Sequence, residues 1–319
     1  MKTIEEFSKC VSKEVMTCLP ESLTKKLNCK PVTITKINDT EHHAISFETE
    51  LETPAPLFYV EDLYEQYLEE KDIQPAALEL AHRYLTSLLN LSPANTPSAD
   101  FDIPALKDHL ALRLVDMRRN IKYLKERPYI SPGFDLAIVC DVHLDDGYEG
   151  CWRTAVQRGT FEDEMTEEEL FSNAFKNVRK IDPPVLNPIN RDTDSIAESI
   201  NLLDPDTEVT VTKPVTFYVL TNKYKHFGAA ALFYPGVQEE IAAKIGEGYY
   251  AIPSSLNEFI ILPESTCRDW HDLQEMVNDS NENIVPPAEI LTDKILYYDC
   301  QREELVEMTD SDEAQRICS

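Results

Sequence analysis

Tyr249-Tyr250-Ala251-Ile252 and Phe259-Ile260-Ile261-Leu262 are two short apolar runs flanking Pro253-Ser254-Ser255-Leu256-Asn257-Glu258. Runs of this length, uninterrupted by polar residues and bounded by a turn-rich segment, read as a hairpin buried on both faces. Upstream, Val215 to Leu220 and Ala229 to Phe233 are further apolar runs of strand length. Between them and the hairpin, Pro235 opens a short helix with Val237, Ile241 and Ile245 inward, stopped by Gly246 and Gly248. Downstream, Trp270, Leu273, Met276 and Val277 suggest another helix, and Ile295 to Tyr298 a last strand. The final third is therefore sheet-rich, and residues 301–319 read as a polar, acidic, frayed tail.

The amino-terminal part has helical spacing instead. Thr3 and Glu6 form a capping-box signature ahead of Ile4, Phe7, Val11 and Val15. Leu63, Tyr64, Tyr67 and Leu68 make a second stripe, and Leu78, Ala81, Leu85, Leu88 and Leu89 a third, beginning near Pro75. A small hairpin separates the first two: Val32 to Thr35 and Ala44 to Leu51, across a turn that takes in His42 and His43. Leu106, Leu110, Leu114, Met117, Ile121 and Leu124 step by three or four and read as one long helix ending at Pro128. Its other positions include Arg113, Arg118 and Arg119, and residues 107–127 hold seven basic against three acidic side chains. Phe134 to Leu144 reads as an amphipathic strand, with Asp141 and His143 on its polar face. Thr166 and Glu169 repeat the capping box before a helix over Leu170 to Val178, and residues 181–207 read as a surface connection.

The expected fold class is α+β, a helix-rich N-terminal half packed on a sheet-rich C-terminal half. The expected units are 1–130, 131–300 and the tail 301–319, in line with 319 residues and a soft prior of ~150 residues per domain. Against 30 Lys and Arg stand 58 Asp and Glu, a net charge of −28, which disfavours broad contact with nucleic-acid phosphates or anionic lipid. No apolar stretch approaches the ~20 residues of a membrane helix, and Met1 to Ser12 lacks a signal-peptide core. Eight cysteines without a CxxC pair fit reduced thiols in a cytoplasmic protein, with Cys10, Cys18 and Cys140 as small buried hydrophobes.

The common phosphate-loop, dinucleotide, zinc-protease and serine-hydrolase motifs are absent, and no cofactor is expected. Asp141, His143 and Asp145 have metal-ligand spacing, but the same pattern describes a solvated strand face, so no metal is assigned. Cys151 with His143 lacks any sign of a depressed thiol pKa, and no catalytic residue is assigned. The expected binding surface is the corner Tyr234, Pro235 and Gly236 with the turn residues Ser254, Ser255 and Glu258: polar groups on a rigid support, without the His or Lys that serine chemistry needs.

Leu220-Thr221-Asn222, Gly228-Ala229-Ala230, Tyr234-Pro235-Gly236-Val237, Ile252-Pro253-Ser254-Ser255, Glu258, Leu262-Pro263 and Leu291-Thr292-Asp293 together resemble an uncharacterised bacterial family. It is catalogued as domain of unknown function five-six-eight-eight and is common in anaerobic gut bacteria. Tyr59 to Tyr67 and Asn120 to Pro128 fit the same layout, while Thr292 stands where the family pattern has Ser. The resemblance implies a bacterial cytosolic α+β protein, with no activity, cofactor or catalytic residue attached. The leading reading is a binding or adaptor module whose partner is a protein, in the setting of a mobile genetic element. An enzyme with an unfamiliar site and an acidic decoy mimicking nucleic acid are the alternatives.

Overall fold

Phe7, Val11 and Val15 recur every fourth residue, so a helix that starts at Thr3 lays all three on one face, where each is fully buried. In the computed structural model of the chain, the described residues are 1–49, 55–90, 103–145, 151–161, 163–189, 200–201 and 217–310. They fall into two units, Met1–Phe101 and Asp102–Ser319, in an α+β fold with helices mostly amino-terminal and sheets mostly carboxyl-terminal.

In the first unit, helix α1 (Ile4–Cys18) carries the expected capping box: the Glu6 N–H donates to Thr3 Oγ1 at 3.3 Å, and the Thr3 N–H to Glu6 Oε2 at 3.1 Å. One turn of helix, α2 (Glu21–Thr24), leads into β1 (Leu27–Thr35), which pairs antiparallel with β2 (Glu41–Thr49). β3 (Leu57–Tyr59) completes a three-stranded sheet of order β1-β2-β3. Helices α3 (Glu61–Glu70) and α4 (Gln74–Asn90) follow. The core joins α1, α3 and α4 to β2 through Phe7, Leu63, Leu80, Ile45 and Phe47, with Phe47 stacked on Tyr84 at 4.4 Å. His42 and His43 lie inside β2 rather than in the turn, because the reversal is tighter than their polarity suggests, a 3-10 turn at Ile37–Asp39.

The second unit holds two antiparallel sheets. β4 (Leu110–Asp116), α5 (Ile121–Lys125), β5 (Tyr129–Gly133), β6 (Leu136–Asp145) and β7 (Cys151–Ala155) form the smaller. In it β6 pairs with β4 along one edge, and with β5 and then β7 along the other. Helix α6 (Glu167–Ile181) begins at the Thr166–Glu169 capping box and packs on β4. The larger sheet uses β8 (Pro184–Ile189), β9 (Ile200–Asn201), β10 (Phe217–Asn222), β11 (Tyr249–Ser255), β12 (Glu258–Pro263), β13 (Leu296–Asp299) and β14 (Glu304–Glu307), in the order β14-β13-β11-β12-β10-β8-β9. Helices α7 (Val237–Ile245) and α8 (Trp270–Asn283) punctuate it. The β11–β12 hairpin is the one expected from the opening stretch, with a bulge between Pro253 and Ser255.

Several expectations are overturned. The long helix over Leu106–Leu124 is a 3-10 segment, strand β4 and one turn of helix. Every residue of β4 is buried, so its leucines satisfy a spacing of four as readily as a spacing of two. Ala229–Phe233 is not a strand but part of a 3-10 segment, Gly228–Phe233, whose small residues pack tightly. The supposed surface connection over 181–207 contains β8, an interior strand of the larger sheet. Its segments 190–199 and 202–207 lie outside the described residues. In the tail, Glu304–Glu307 adds an edge strand, while 311–319 lie outside the described residues. The loop expected over 92–103 also lies outside them, apart from Ile103.

Candidate functional site

Arg113 stands opposite Val139 on β6, Asp141 opposite Ala155 on β7, and His143 opposite Arg153. Alternation then puts Arg113, Asp141, His143 and Arg153 on one face of the smaller sheet. That face is not solvated, as the amphipathic pattern of Phe134–Leu144 suggests: Asp141 is fully buried and His143 is 2% exposed. Asp141 Oδ2 lies 2.8 Å from Arg113 Nη2 and 3.2 Å from Arg153 Nε. Arg153 Nη1 lies 3.2 Å from Asp182 Oδ2 and donates to the His226 carbonyl at 3.0 Å, while its Nη2 donates to the Leu112 carbonyl. Asp182, the residue that ends α6, accepts the Tyr234 hydroxyl at 2.8 Å. Two guanidinium groups are thereby matched by two carboxylates, and the side chains of Asp141, Arg153 and Asp182 have no solvent exposure.

The surroundings tilt these groups in definite directions. Burial pushes the Asp182 carboxyl above its usual range, while Arg153 and the Tyr234 hydroxyl pull it back. Burial, with Asp182 alongside, raises the Tyr234 hydroxyl far above its ordinary value, so it remains a donor. Partial burial and the positive charges of Arg153 and Arg113 lower the His226 imidazole.

Over this network runs the loop Asn222–Gly228. The Asn222 amide donates to the His226 carbonyl at 2.8 Å and accepts the His226 N–H at 3.2 Å. Lys225 and Phe227 have φ of 54° and 53°, a left-handed conformation that is uncommon for side chains of their bulk. The Phe227 ring lies 3.6 Å from the Arg113 guanidinium carbon, and the Tyr224 ring 4.8 Å from His143. The β11–β12 turn holds the loop from outside: Asn257 Oδ1 accepts the Phe227 N–H at 2.9 Å and its carbonyl accepts the Thr221 hydroxyl at 2.7 Å. Gly228 permits this approach, since a Cβ there would lie 2.6 Å from the Asn222 nitrogen and the Asn257 carbonyl oxygen.

The residues expected to form a binding surface divide. Ser254 Oγ donates to Glu258 Oε1 at 3.1 Å and Ser255 Oγ accepts the Asn257 N–H at 3.1 Å, so these three shape the turn that latches the loop. Tyr234 is 2% exposed and points to Asp182. The Pro235 carbonyl accepts from Arg179, and Gly236, at φ 80°, caps α7. Arg113, Arg153, Asp182, Asn222 and Asn257 escaped the sequence reading. The available signal was an arginine inside the apolar run Leu110–Val115.

The basic segment is drawn into a second chain of charges. Arg118 contacts Asp116 at 3.1 Å and Asp135 at 3.8 Å; Lys294 contacts Asp135 at 2.8 Å and Glu307 at 2.7 Å; Arg119 contacts Asp293 at 3.2 Å. Among the described residues no His, Cys, Asp and Glu group is arranged to hold a metal ion, and the side chains of Asp145 and Cys151 lie outside the description. Cys10, Cys18, Cys29, Cys140, Cys267 and Cys300 are free. Cys140 is buried, whereas Cys10 and Cys18 are only partly so. Burial pushes the Cys29 thiol up to about 12 and raises Cys140 as well, the opposite of an activated nucleophile. No described helix is long and apolar enough to cross a membrane.

Comparison with known proteins found no match among curated proteins and none among solved structures. The profile of the Family of unknown function (DUF5688) matches residues 4–300, and the chain belongs to that family.

Proposed function

We propose that this chain is a binding module for a protein partner, without catalytic chemistry of its own, working in the cytoplasm. Its recognition surface is the loop Asn222–Gly228 together with the Ser254–Glu258 turn. One observation carries the reading: Asp141 and Asp182 each set their Oδ2 against the Arg113 and Arg153 guanidinium groups, and Arg153 also holds the loop backbone, which supports a role in shaping the surface above. Outward from them the loop presents exposed Lys223, Lys225 and His226 on a support fixed from both sides. The free thiols favour a reducing compartment. The test is photo-crosslinking in producing cells from a reactive residue at position 225, with position 176 on α6 as an exposed control. A discrete protein adduct from 225 and none from 176 is expected. No adduct from 225, or the same adduct from both, removes the reading. An enzymatic alternative draws on Asp182, a carboxyl raised by burial beside Tyr234 and Arg153. It requires a turnover that Asp182→Asn abolishes without unfolding the chain.

A further inference from the structure

The three-stranded sheet of the first unit ends on β1, and the register shows which of its backbone groups face outward. The Phe47 N–H donates to the Pro56 carbonyl and the His43 carbonyl accepts the Val60 N–H, so the odd-numbered residues of β2 bond toward β3. Its even-numbered residues must then bond toward β1, where His42, Ala44, Ser46 and Glu48 stand opposite Ile34, Val32, Lys30 and Asn28. The Lys36 N–H, donating to the Thr40 carbonyl, keeps the same parity. Leu27, Cys29, Pro31, Thr33 and Thr35 therefore turn their backbone groups to the edge that no described strand covers. Pro31, which has no N–H to offer, sits on that outer row, as a strand proline must.

The charge along this edge is opposite to that of the chain. Lys25, Lys26 and Lys30 are exposed, and no acidic residue occurs from Ser22 to Asn38, in a protein of net charge −28; Lys36, just past the strand, turns its ammonium over the Tyr59 ring of β3 at 5.5 Å instead. Lys30 has a carboxylate neighbour, Glu48, at 2.5 Å. Lys25 and Lys26 have none among the described residues, and line a shallow cleft of about 320 Å³ with Leu27, Asn28, Glu48 and Thr49. Two copies of the edge carry like charge and repel each other, which guards the edge against self-pairing. The same lysines attract a strand of opposite charge.

We propose that β1 is a docking edge for an extended acidic segment of a partner protein, which adds a fourth strand to this sheet by backbone hydrogen bonding while its carboxylates meet Lys25, Lys26 and Lys30. The edge belongs to the first unit, and the proposal does not depend on the reading given to the loop Asn222–Gly228.

Amide hydrogen exchange of the whole chain tests the edge first. Thr33 and Thr35 should exchange rapidly and Val32 and Ile34 slowly; protected Thr33 and Thr35 amides would mean that the edge is already covered, and would overturn the proposal. The probe is a terminally blocked ten-residue peptide alternating Glu and Thr, followed by fluorescence anisotropy. Saturable binding is expected, with at least a tenfold loss of affinity on moving from 50 to 300 mM salt, and protection of the Thr33 and Thr35 amides in the complex. Lys26→Glu with Lys30→Glu, two exposed changes, should weaken binding at least tenfold. Thr33→Pro, which deletes one outward N–H, should weaken it in a chain that still folds. Equal binding of a Lys-Thr peptide, or unchanged binding in the double lysine variant or in folded Thr33→Pro, refutes the proposal.

Discussion

Replacing Arg153 with Met tests whether the buried network holds the second unit together. The side chain has no exposure, so the methionine stem occupies similar space while the guanidinium is lost. Asp141 keeps Arg113, while Asp182 keeps the Tyr234 hydroxyl and the Asn222 side chain but loses its guanidinium. The His226 and Leu112 carbonyls each lose a donor. Removing one member of a buried ion pair destabilises by about 3–5 kcal/mol, and this value is expected near pH 7. The loss depends on pH with a definite sign. Burial already raises the Asp182 carboxyl, and Arg153 is the strongest influence lowering it, so the substitution raises it further. A folded pKa above the unfolded one means that the folded state binds the extra proton. The variant's deficit is therefore smallest near the unfolded aspartate value of about 4 and grows as pH rises through the folded value. Asp182→Asn in the Arg153→Met background removes that titration and should restore roughly 1–2 kcal/mol at neutral pH. Both tryptophans, Trp152 and Trp270, belong to the second unit, so urea unfolding followed by tryptophan fluorescence reads that unit alone. A loss below about 1 kcal/mol for Arg153→Met at pH 7, or a double variant weaker than the single one, would falsify the reasoning.

Gly228→Ala drives a methyl group against the Asn222 nitrogen and the Asn257 carbonyl, and should destabilise the second unit by about 3 kcal/mol, read from the same fluorescence transition. Arg118→Glu with Arg119→Glu sets new carboxylates beside Asp116, Asp135 and Asp293. The unfolding midpoint should fall, and the difference from wild type should narrow in high salt; an unchanged midpoint would mean that these pairs do not clamp the fold. Ser254→Ala with Glu258→Gln removes a part-buried side-chain bond and should lower stability by about 1 kcal/mol. A loss above about 2 kcal/mol in urea titration would make the turn a structural element first.

Helices in the first unit were legible because their signals are local: a cap at Thr3, a proline in the first turn of α4, and apolar residues on one face. The β11–β12 hairpin was legible because two apolar runs bracket a turn of the right length. Residues 106–124 were not, because periodicity presupposes one wet face and β4 has none. Arg113 there imitates the polar side of a helix, while its charge is matched by Asp141, 28 positions later in the sequence. Asp182 was hidden for a similar reason. It precedes two prolines and resembles a loop residue, yet it closes α6 and takes the hydroxyl of Tyr234, 52 positions away. The sequence places Tyr234 at a corner, but only the fold shows that its hydroxyl turns inward.

The +4 island of residues 107–127 therefore serves two different ends. Arg118 and Arg119, at the surface, join Asp135 and Asp293 from distant parts of the second unit, and screened pairs of that kind contribute little each. Arg113 works in the interior, where a matched ion pair also adds little net stability over an apolar substitute but admits few alternative arrangements. Arg153 shares the Asp141 carboxylate with it. Arg153 Nη1 is shared between Asp182 and the His226 carbonyl, and that carbonyl faces it because Asn222 bonds back across the loop and Phe227 takes a left-handed turn over Arg113. The strain at Lys225 and Phe227 is thus balanced by buried charge below and by Asn257 outside. A loop over an ordinary apolar core would be free to relax into the more common conformation; over this network, relaxation would leave a guanidinium donor without its carbonyl. The interior charges consequently fix the shape of the surface above them, and the loop Asn222–Gly228 presents Lys223, Lys225 and His226 in one arrangement.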